Sequence, residues 1–76
     1  MKTSDYTIFL TLLTEKRKEK NLTQQELAKT LEKPQSFVSK YESGERRIDV
    51  IELLNICKCM EIPIEKFVKE LKDRMQ

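Results

Sequence analysis

Residues that begin and end helices divide this chain of 76 residues into short segments. Thr23 with Glu26 three residues later is a capping box, in which each side chain accepts a hydrogen bond from the other residue's backbone N–H. The helix that it begins is short, because Pro34 disfavours the helical conformation in the preceding residue and has no N–H to donate. Pro34 suits the first turn of the next helix, and Gly44, the only glycine, suits its left-handed end. Two successive short helices are therefore predicted over about residues 23–43.

Similar signals predict one helix before this segment and two after it. Asp5 or Ser4 can cap the first helix, Asp49 with Glu52 is a second capping box, and Pro63 suits the start of a fifth helix. Apolar residues recur at helical spacing in all five segments. The residues expected to face the core are Ile8, Phe9, Leu12, Leu13, Leu27, Ala28, Leu31, Phe37, Val38, Tyr41, Val50, Leu53, Leu54, Cys57, Met60, Ile64, Phe67, Val68 and Leu71.

Length and composition set the fold class. A chain of 76 residues is enough for one domain, which we expect to span residues 1–76. Aromatic residues are few and no stretch alternates as a strand does, so we predict a compact, all-α domain of five helices. The fourth and fifth helices are expected over about residues 49–71, followed by a fraying polar end at residues 72–76.

Composition also argues against several functions. The chain has no histidine and no glycine-rich phosphate loop, so we expect neither an enzyme nor a catalytic residue. Cys57 and Cys59 would diverge by about 200° on a helix, so we expect free thiols with a packing role and no metal site or cofactor. The N-terminus, residues 1–5, is polar and no apolar run could span a membrane, so we expect a cytoplasmic protein without membrane contact.

One face of the third predicted helix is polar. Its apolar residues Phe37, Val38 and Tyr41 leave the opposite face to four polar ones, Gln35, Ser36, Ser39 and Lys40. Two short helices joined by a tight turn, the second with polar first turns, are the layout by which a helix-turn-helix reads base edges in the major groove. By spacing alone, a merely solvated face explains the four residues equally well. The net charge of +2 is compatible with nucleic-acid binding and does not decide the matter.

The motif itself resembles a known family. The segments Leu22–Leu31 and Phe37–Gly44 carry Thr-Gln-x-x-Leu-Ala and Val-Ser-x-x-Glu-x-Gly, and are similar to the phage-repressor (lambda repressor-like, Cro-type) helix-turn-helix family. The resemblance covers about residues 8–71. It implies a five-helix lambda repressor-like fold and a transcriptional regulator, a repressor, that binds double-stranded DNA sequence-specifically.

The resemblance also implies roles for individual residues. Gln24 matches a position that bonds DNA phosphate, and Arg46 and Arg47 fall in a loop that approaches the DNA backbone in relatives. Arg17 and Glu42 match a partly buried ion pair, although composition alone makes Arg17 one more solvated charge. The base-reading positions correspond to Gln35, Ser36 and Lys40, with Ser39 beside them.

Some positions depart from the family pattern. Glu32 stands where relatives usually have glycine in a left-handed turn, and Lys33 with Pro34 replaces a Ser or Thr cap. We therefore expect a slightly altered turn, on which the exact start of the second motif helix and the reach of Gln35 depend. Cys57 and Cys59 correspond to family alanines, which favours packing over redox chemistry.

One recognition helix contacts only a few base pairs, so we expect a homodimer on an inverted-repeat operator whose half-sites lie about 34 Å apart. Helices four and five carry more apolar residues than a small monomer readily hides. The expected dimer-interface residues are Ile51, Leu54, Ile64, Phe67, Val68 and Leu71. Alternatively, most of these residues close the five-helix core.

An alternative function keeps the same fold. An antitoxin or a controller-type regulator would have another protein as its main partner, while usually binding DNA as well. A toxin or RNA polymerase is the partner protein that we consider. A copurifying toxin, or a neighbouring toxin-like reading frame, would separate the two functions.

Overall fold

The computed structural model describes residues 4–76, which form five α-helices. The helices are α1 (Asp5–Glu19), α2 (Gln24–Thr30), α3 (Gln35–Ser43), α4 (Val50–Cys59) and α5 (Ile64–Arg74). No strand occurs within that range, so the predicted five-helix, all-α fold class is confirmed. Of the polar N-terminal segment, residues 1–3 lie outside the described part of the chain.

Short-range hydrogen bonds begin three of the helices. Ser4 caps α1, its Oγ accepting from the N–H three residues later at 3.1 Å. Thr23 and Glu26 form the full capping box of α2, with N···O distances of 2.8 and 3.0 Å. Asp49 and Glu52 do the same for α4, at 3.0 and 2.8 Å. Each start was predictable because the two partners are three residues apart.

Prolines precede the two other helices. Pro34 and Pro63 were expected within the first turn, but each lies one residue earlier, at the N-cap, with ψ of 156° and 132°. Because proline has no N–H, no backbone donor is left unsatisfied at the N-cap. The fixed φ of proline also suits this position. The third helix therefore begins at Gln35, which puts this polar side chain in its first turn.

The turn between α2 and α3 is regular, contrary to the expectation of an altered geometry. Glu32 adopts the left-handed conformation itself, with φ of 58°, as do Asn21 and Glu61 at the ends of α1 and α4. The N–H of Glu32 and of the next residue bond the carbonyls of Lys29 and Ala28 at 3.0 and 2.9 Å. This is a Schellman motif, and the same pattern follows all three helices. Glu32 thus takes the conformation that glycine would take, at the steric cost of its Cβ.

The core lies where α1, α2, α3, α4 and α5 meet. It is formed by Leu10, Leu12, Leu13, Leu27, Ala28, Val38, Tyr41, Ile56, Cys57, Met60 and Phe67. Two expectations for α4 are wrong: Val50 and Leu54 are 64% and 40% exposed, whereas Ile56 is fully buried. The apolar residues of α4 extend around more of the helix surface than the neighbouring helices can cover. The face packed against the core is therefore narrower and consists of Leu53, Ile56, Cys57 and Met60.

The end of α5 also differs from the expected fraying tail. The helix continues to Arg74, whose guanidinium contacts Glu15 of α1 at 2.9 Å and Glu70 at 3.2 Å. Lys16 contacts the other oxygen of Glu70 at 2.8 Å. The hydrogen bond from Lys16 lowers the pKa of Glu70 below its ordinary value. These ion pairs connect the last turns of α5 to α1.

Candidate nucleic-acid interface

The third helix separates an anchoring face from an exposed polar face. Val38 and Tyr41 are completely buried, and the half-buried ring of Phe37 packs edge-on against Tyr41 with centroids 5.6 Å apart. The opposite side exposes Gln35, Ser36, Ser39 and Lys40. None of these four side chains makes a hydrogen bond within residues 4–76, so their donors and acceptors are open to a partner. Polar groups on a rigidly docked helix are the chemistry that base edges in the major groove accept.

Arg17 and Glu42, expected as a pair, are in contact between α1 and α3. Arg17 Nε and Nη2 donate to the two Glu42 oxygens at 2.7 and 3.1 Å, and the two side chains are only 9% and 7% exposed. Arg17 Nη1 also donates to the carbonyl of Leu22 at 2.6 Å. The hydrogen bond to Glu42 raises the pKa of Arg17 above its ordinary value.

Gln24 joins the same cluster. Its Nε2 donates to Glu42 Oε1 at 2.9 Å, which ties the first residue of α2 to the end of α3. The amide keeps a second N–H and its oxygen, so the bond does not use up its capacity for a phosphate. Both helices of the motif are thereby fixed to one another and to α1 through a single carboxylate. The family resemblance implied the Arg17–Glu42 contact but not the addition of Gln24.

The guanidinium of Arg46, in the loop after α3, already makes several hydrogen bonds within the protein. It donates to both carboxylate oxygens of Glu52 at 2.7 and 3.1 Å and to the carbonyl of Arg47 at 3.1 Å. It also lies 4.8 Å from the centroid of the Phe37 ring. Its hydrogen bond lowers the pKa of Glu52, so the partner stays ionised.

Arg47 has a different environment, formed by a residue that sequence reasoning missed. Its guanidinium lies 4.0 Å from the ring centroid of Tyr6 in α1. The Tyr6 hydroxyl accepts from the N–H of Ile48 at 3.1 Å, and the ring packs on Phe9, which packs on buried Phe67, at centroid distances of 5.5 and 6.1 Å. No local signal could have paired Tyr6 with Arg47, because the two residues are far apart in the chain.

Comparison with known proteins agrees with this geometry. A helix-turn-helix family model matches residues 13–67. The solved structure of an XRE-family-like protein from Pseudomonas syringae pv. tomato is 40% identical, with a TM-score of 0.88 over 95% of this chain and 88% of that one. The chain belongs to the XRE family of helix-turn-helix proteins. It is therefore a DNA-binding transcription regulator, from a family that is not normally enzymatic.

The XRE-family fold extends to a second solved structure. A point mutant of the restriction–modification controller protein C.Esp1396I matches with a TM-score of 0.87 and 24% identity, over 99% of this chain and 95% of that one. At that identity the likeness concerns the fold alone. None of the curated proteins compared matches the chain.

The residues expected at a dimer interface of this XRE-family protein divide into three groups. Ile51, Leu54 and Val68 are exposed, by 61%, 40% and 39%. Ile64 and Leu71 are half-buried against the core. Phe67 is completely buried between the helices, so its assignment to an interface is wrong. Its ring faces Phe9 because the middle of α5 lies against α1.

The cysteines, potential metal ligands and helix lengths of this XRE-family chain can be compared with the expectations from its sequence. Both cysteines are free thiols; Cys57 is buried, which raises its pKa to about 11, and Cys59 is half-buried. Over residues 4–76, no cluster of three potential metal ligands is present. None of the five described helices is long and apolar enough to cross a lipid bilayer.

Proposed function

We propose that this XRE-family regulator is a repressor of the phage-repressor type, which occupies an inverted-repeat operator as a homodimer and thereby blocks RNA polymerase. The observation that carries the proposal is the exposed face of α3, where Gln35, Ser36, Ser39 and Lys40 have no partner within residues 4–76. Gln can pair with adenine, Lys with guanine, and Ser with either. Gln24 supplies a phosphate contact at the N-terminus of α2.

Selection of bound sequences from random duplex DNA tests this function. It reports the operator, its symmetry and the half-site spacing together. Lys40→Ala should then relax discrimination at one or two base positions, because a base contact depends on the sequence whereas a phosphate contact does not. Lys66→Ala, an equal loss of charge on the exposed side of α5, should leave the preferred sequence unchanged. Uniform weakening on all sequences by Lys40→Ala would contradict a base-reading role.

Exposed apolar residues support the homodimer. Ile51, Leu54 and Val68 lie in solvent on α4 and α5, with Ile64 and Leu71 half-buried, and the structure adds Val50 at 64% exposure. Burying such residues against a second copy stabilises by about 25 cal/mol per Å² of apolar surface. Dimer formation would present two α3 helices to successive major grooves about 34 Å apart.

Sedimentation equilibrium tests the dimer directly. The wild-type protein should sediment as a dimer at micromolar concentrations, and Ile51→Lys should shift it towards monomer without unfolding it, since this side chain is already 61% exposed. Thr11→Lys, which adds the same charge at an exposed position of α1, is the matched control and should remain dimeric. A wild-type protein that is monomeric at high micromolar concentration would refute this assembly.

A further inference from the structure

We propose that the two adjacent loop arginines have different roles: Arg47, held on Tyr6, contacts a DNA phosphate, and Arg46 is a positioning residue that holds the start of α3. This inference rests on the proposed DNA-binding function. It departs from the sequence-based expectation, which assigned a phosphate contact to both residues. The two arginines differ in what already surrounds each guanidinium.

The guanidinium of Arg46 is already paired with an anion. Its two hydrogen bonds to Glu52, at 2.7 and 3.1 Å, have the bidentate geometry that makes arginine–carboxylate pairs strong. The same carboxylate caps α4 by accepting from the N–H of Asp49 at 3.0 Å, so the cap holds it in place. Together with the bond to the Arg47 carbonyl, these contacts use three of the five guanidinium N–H donors within the protein. The pair is neutral as a unit, and it therefore releases no counterion when DNA binds.

Arg46 instead contacts the recognition helix twice. Its side chain lies against the ring of Phe37, in the first turn of α3, with a distance of 4.8 Å to the centroid. Its backbone N–H donates to the carbonyl of Lys40 at 3.1 Å. Phe37 and Lys40 lie on the same helix as the exposed polar residues, so Arg46 connects their helix to the N-terminus of α4. Loss of this connection should alter how Gln35 and Lys40 are placed against base edges.

Arg47 has the opposite properties. Within residues 4–76 its side chain makes no hydrogen bond or ion pair, so its five N–H donors are open to solvent. Its guanidinium lies over the Tyr6 ring at 4.0 Å, an attraction that restricts its motion while leaving its charge uncompensated. Tyr6 is itself held by the N–H of Ile48 at 3.1 Å. A restrained arginine without a counter-ion, in the loop that follows the recognition helix, suits a phosphate oxygen.

Paired variants of equal charge test the assignment. The affinity of the protein for its selected operator is measured by fluorescence anisotropy over a range of salt concentrations. Arg47→Gln should reduce the slope of log K against log salt by about one phosphate contact. Arg46→Gln should leave that slope at the wild-type value and reduce the ratio of operator to random-DNA affinity several-fold. The two variants lose the same charge, so a general electrostatic effect cannot separate them.

Two further variants keep the test decisive if Arg46→Gln is poorly folded. Arg46→Lys retains the charge but not the two-pronged hydrogen bonding, so it should keep the salt slope and still lose sequence discrimination. Tyr6→Leu should weaken binding in the wild-type background and have no further effect when combined with Arg47→Gln. Thermal unfolding monitored by circular dichroism confirms that each variant is folded at the assay temperature.

Two outcomes would overturn the inference. Equal reductions of the slope by both glutamine variants, or a reduction by Arg46→Gln alone, would place Arg46 at a phosphate. A wild-type protein that shows neither a selected sequence nor salt-dependent binding would instead refute the proposed DNA-binding function, and the inference with it. The wild-type salt slope thus tells the two failures apart.

Discussion

Replacing Glu42 by Gln tests how the two motif helices are held together. The substitution keeps the size of the side chain and removes the charge that Arg17 faces. The guanidinium would then be left 9% exposed, with the Leu22 carbonyl at 2.6 Å as its remaining strong acceptor. A buried cation without a counter-ion is costly, because the protein cannot replace the water that it has lost.

The magnitude follows from the burial of the pair. Breaking a buried ion pair by removing one partner costs about 3–5 kcal/mol, against at most about 1 kcal/mol for an exposed pair. The amide oxygen of a glutamine at this position can still accept one hydrogen bond, so we expect the low end, about 3 kcal/mol. For a domain of this size that corresponds to a decrease in Tm of roughly 12–24 °C. It is a large share of the total stability of roughly 4–11 kcal/mol typical for such a chain.

Urea and thermal unfolding followed by circular dichroism measure the effect. Glu45→Gln is the matched control, since it removes the same charge from an exposed loop and should change the free energy of unfolding by less than about 0.5 kcal/mol. Arg17→Met combined with Glu42→Leu should cost less than the sum of the two single changes, because no stranded charge remains. Equal effects of the substitutions at Glu42 and Glu45 would refute the reasoning.

Three further outcomes are expected. Glu32→Gly should raise the free energy of unfolding in urea by about 1 kcal/mol, because glycine takes a left-handed conformation without the clash of a Cβ. A thiol reagent should modify Cys57 more slowly than Cys59, as followed by mass spectrometry, since burial raises the Cys57 pKa to about 11. Glu70→Gln should reduce the decrease in the free energy of unfolding that accompanies acidification. The pKa of Glu70 is lowered in the folded chain, so its contribution is present above its ordinary value of 4.5 and lost as pH falls through the folded value.

Each of these expectations has a contrary result. Destabilisation by Glu32→Gly would mean that the glutamate side chain contributes more than its left-handed backbone costs. Equal modification rates for Cys57 and Cys59 would mean that α4 opens faster than the reagent reacts. An acid profile unchanged by Glu70→Gln would mean that its contact with Lys16 contributes no stability to the folded chain.

Features that depend on residues three or four apart could be predicted from the sequence. The capping boxes at Thr23 and Asp49 each involve two side chains within one turn, so no tertiary contact was needed to infer them. The end of α5 could not be inferred in this way. Its last turn contacts α1 through Arg74 and Glu15, which are 59 residues apart. The pairs four residues apart, Glu70–Arg74 and Lys69–Asp73, are local signals, but exposed pairs of this kind contribute too little to separate a helical end from a fraying one.

Burial was harder to predict than helix position. Apolar spacing places a residue on a helix face, but neighbouring helices decide how much of that face they cover. Val50 satisfies the spacing of α4 and lies 64% exposed, because it begins the helix outside the contact with the core. The spacing of Phe67 was equally consistent with a place in the core and with a place at an interface. Its burial and its contact with Phe9 of α1 put it in the core. The residues of α4 that stay exposed are the ones on which the proposed homodimer rests.

The loop arginines show why the site was less predictable than the fold. Arg46 and Arg47 are identical in type and adjacent, so every local argument assigns them the same role. Their environments differ because Glu52 is six residues from Arg46 and bonds it, whereas the partner of Arg47 is Tyr6, on another helix. A positive charge near a helix-turn-helix attracts DNA only to the extent that the protein leaves it uncompensated. Counting basic residues therefore treats Arg46 and Arg47 alike, whereas the Glu52 carboxylate, bonded to Arg46 alone, is the difference on which their proposed roles rest.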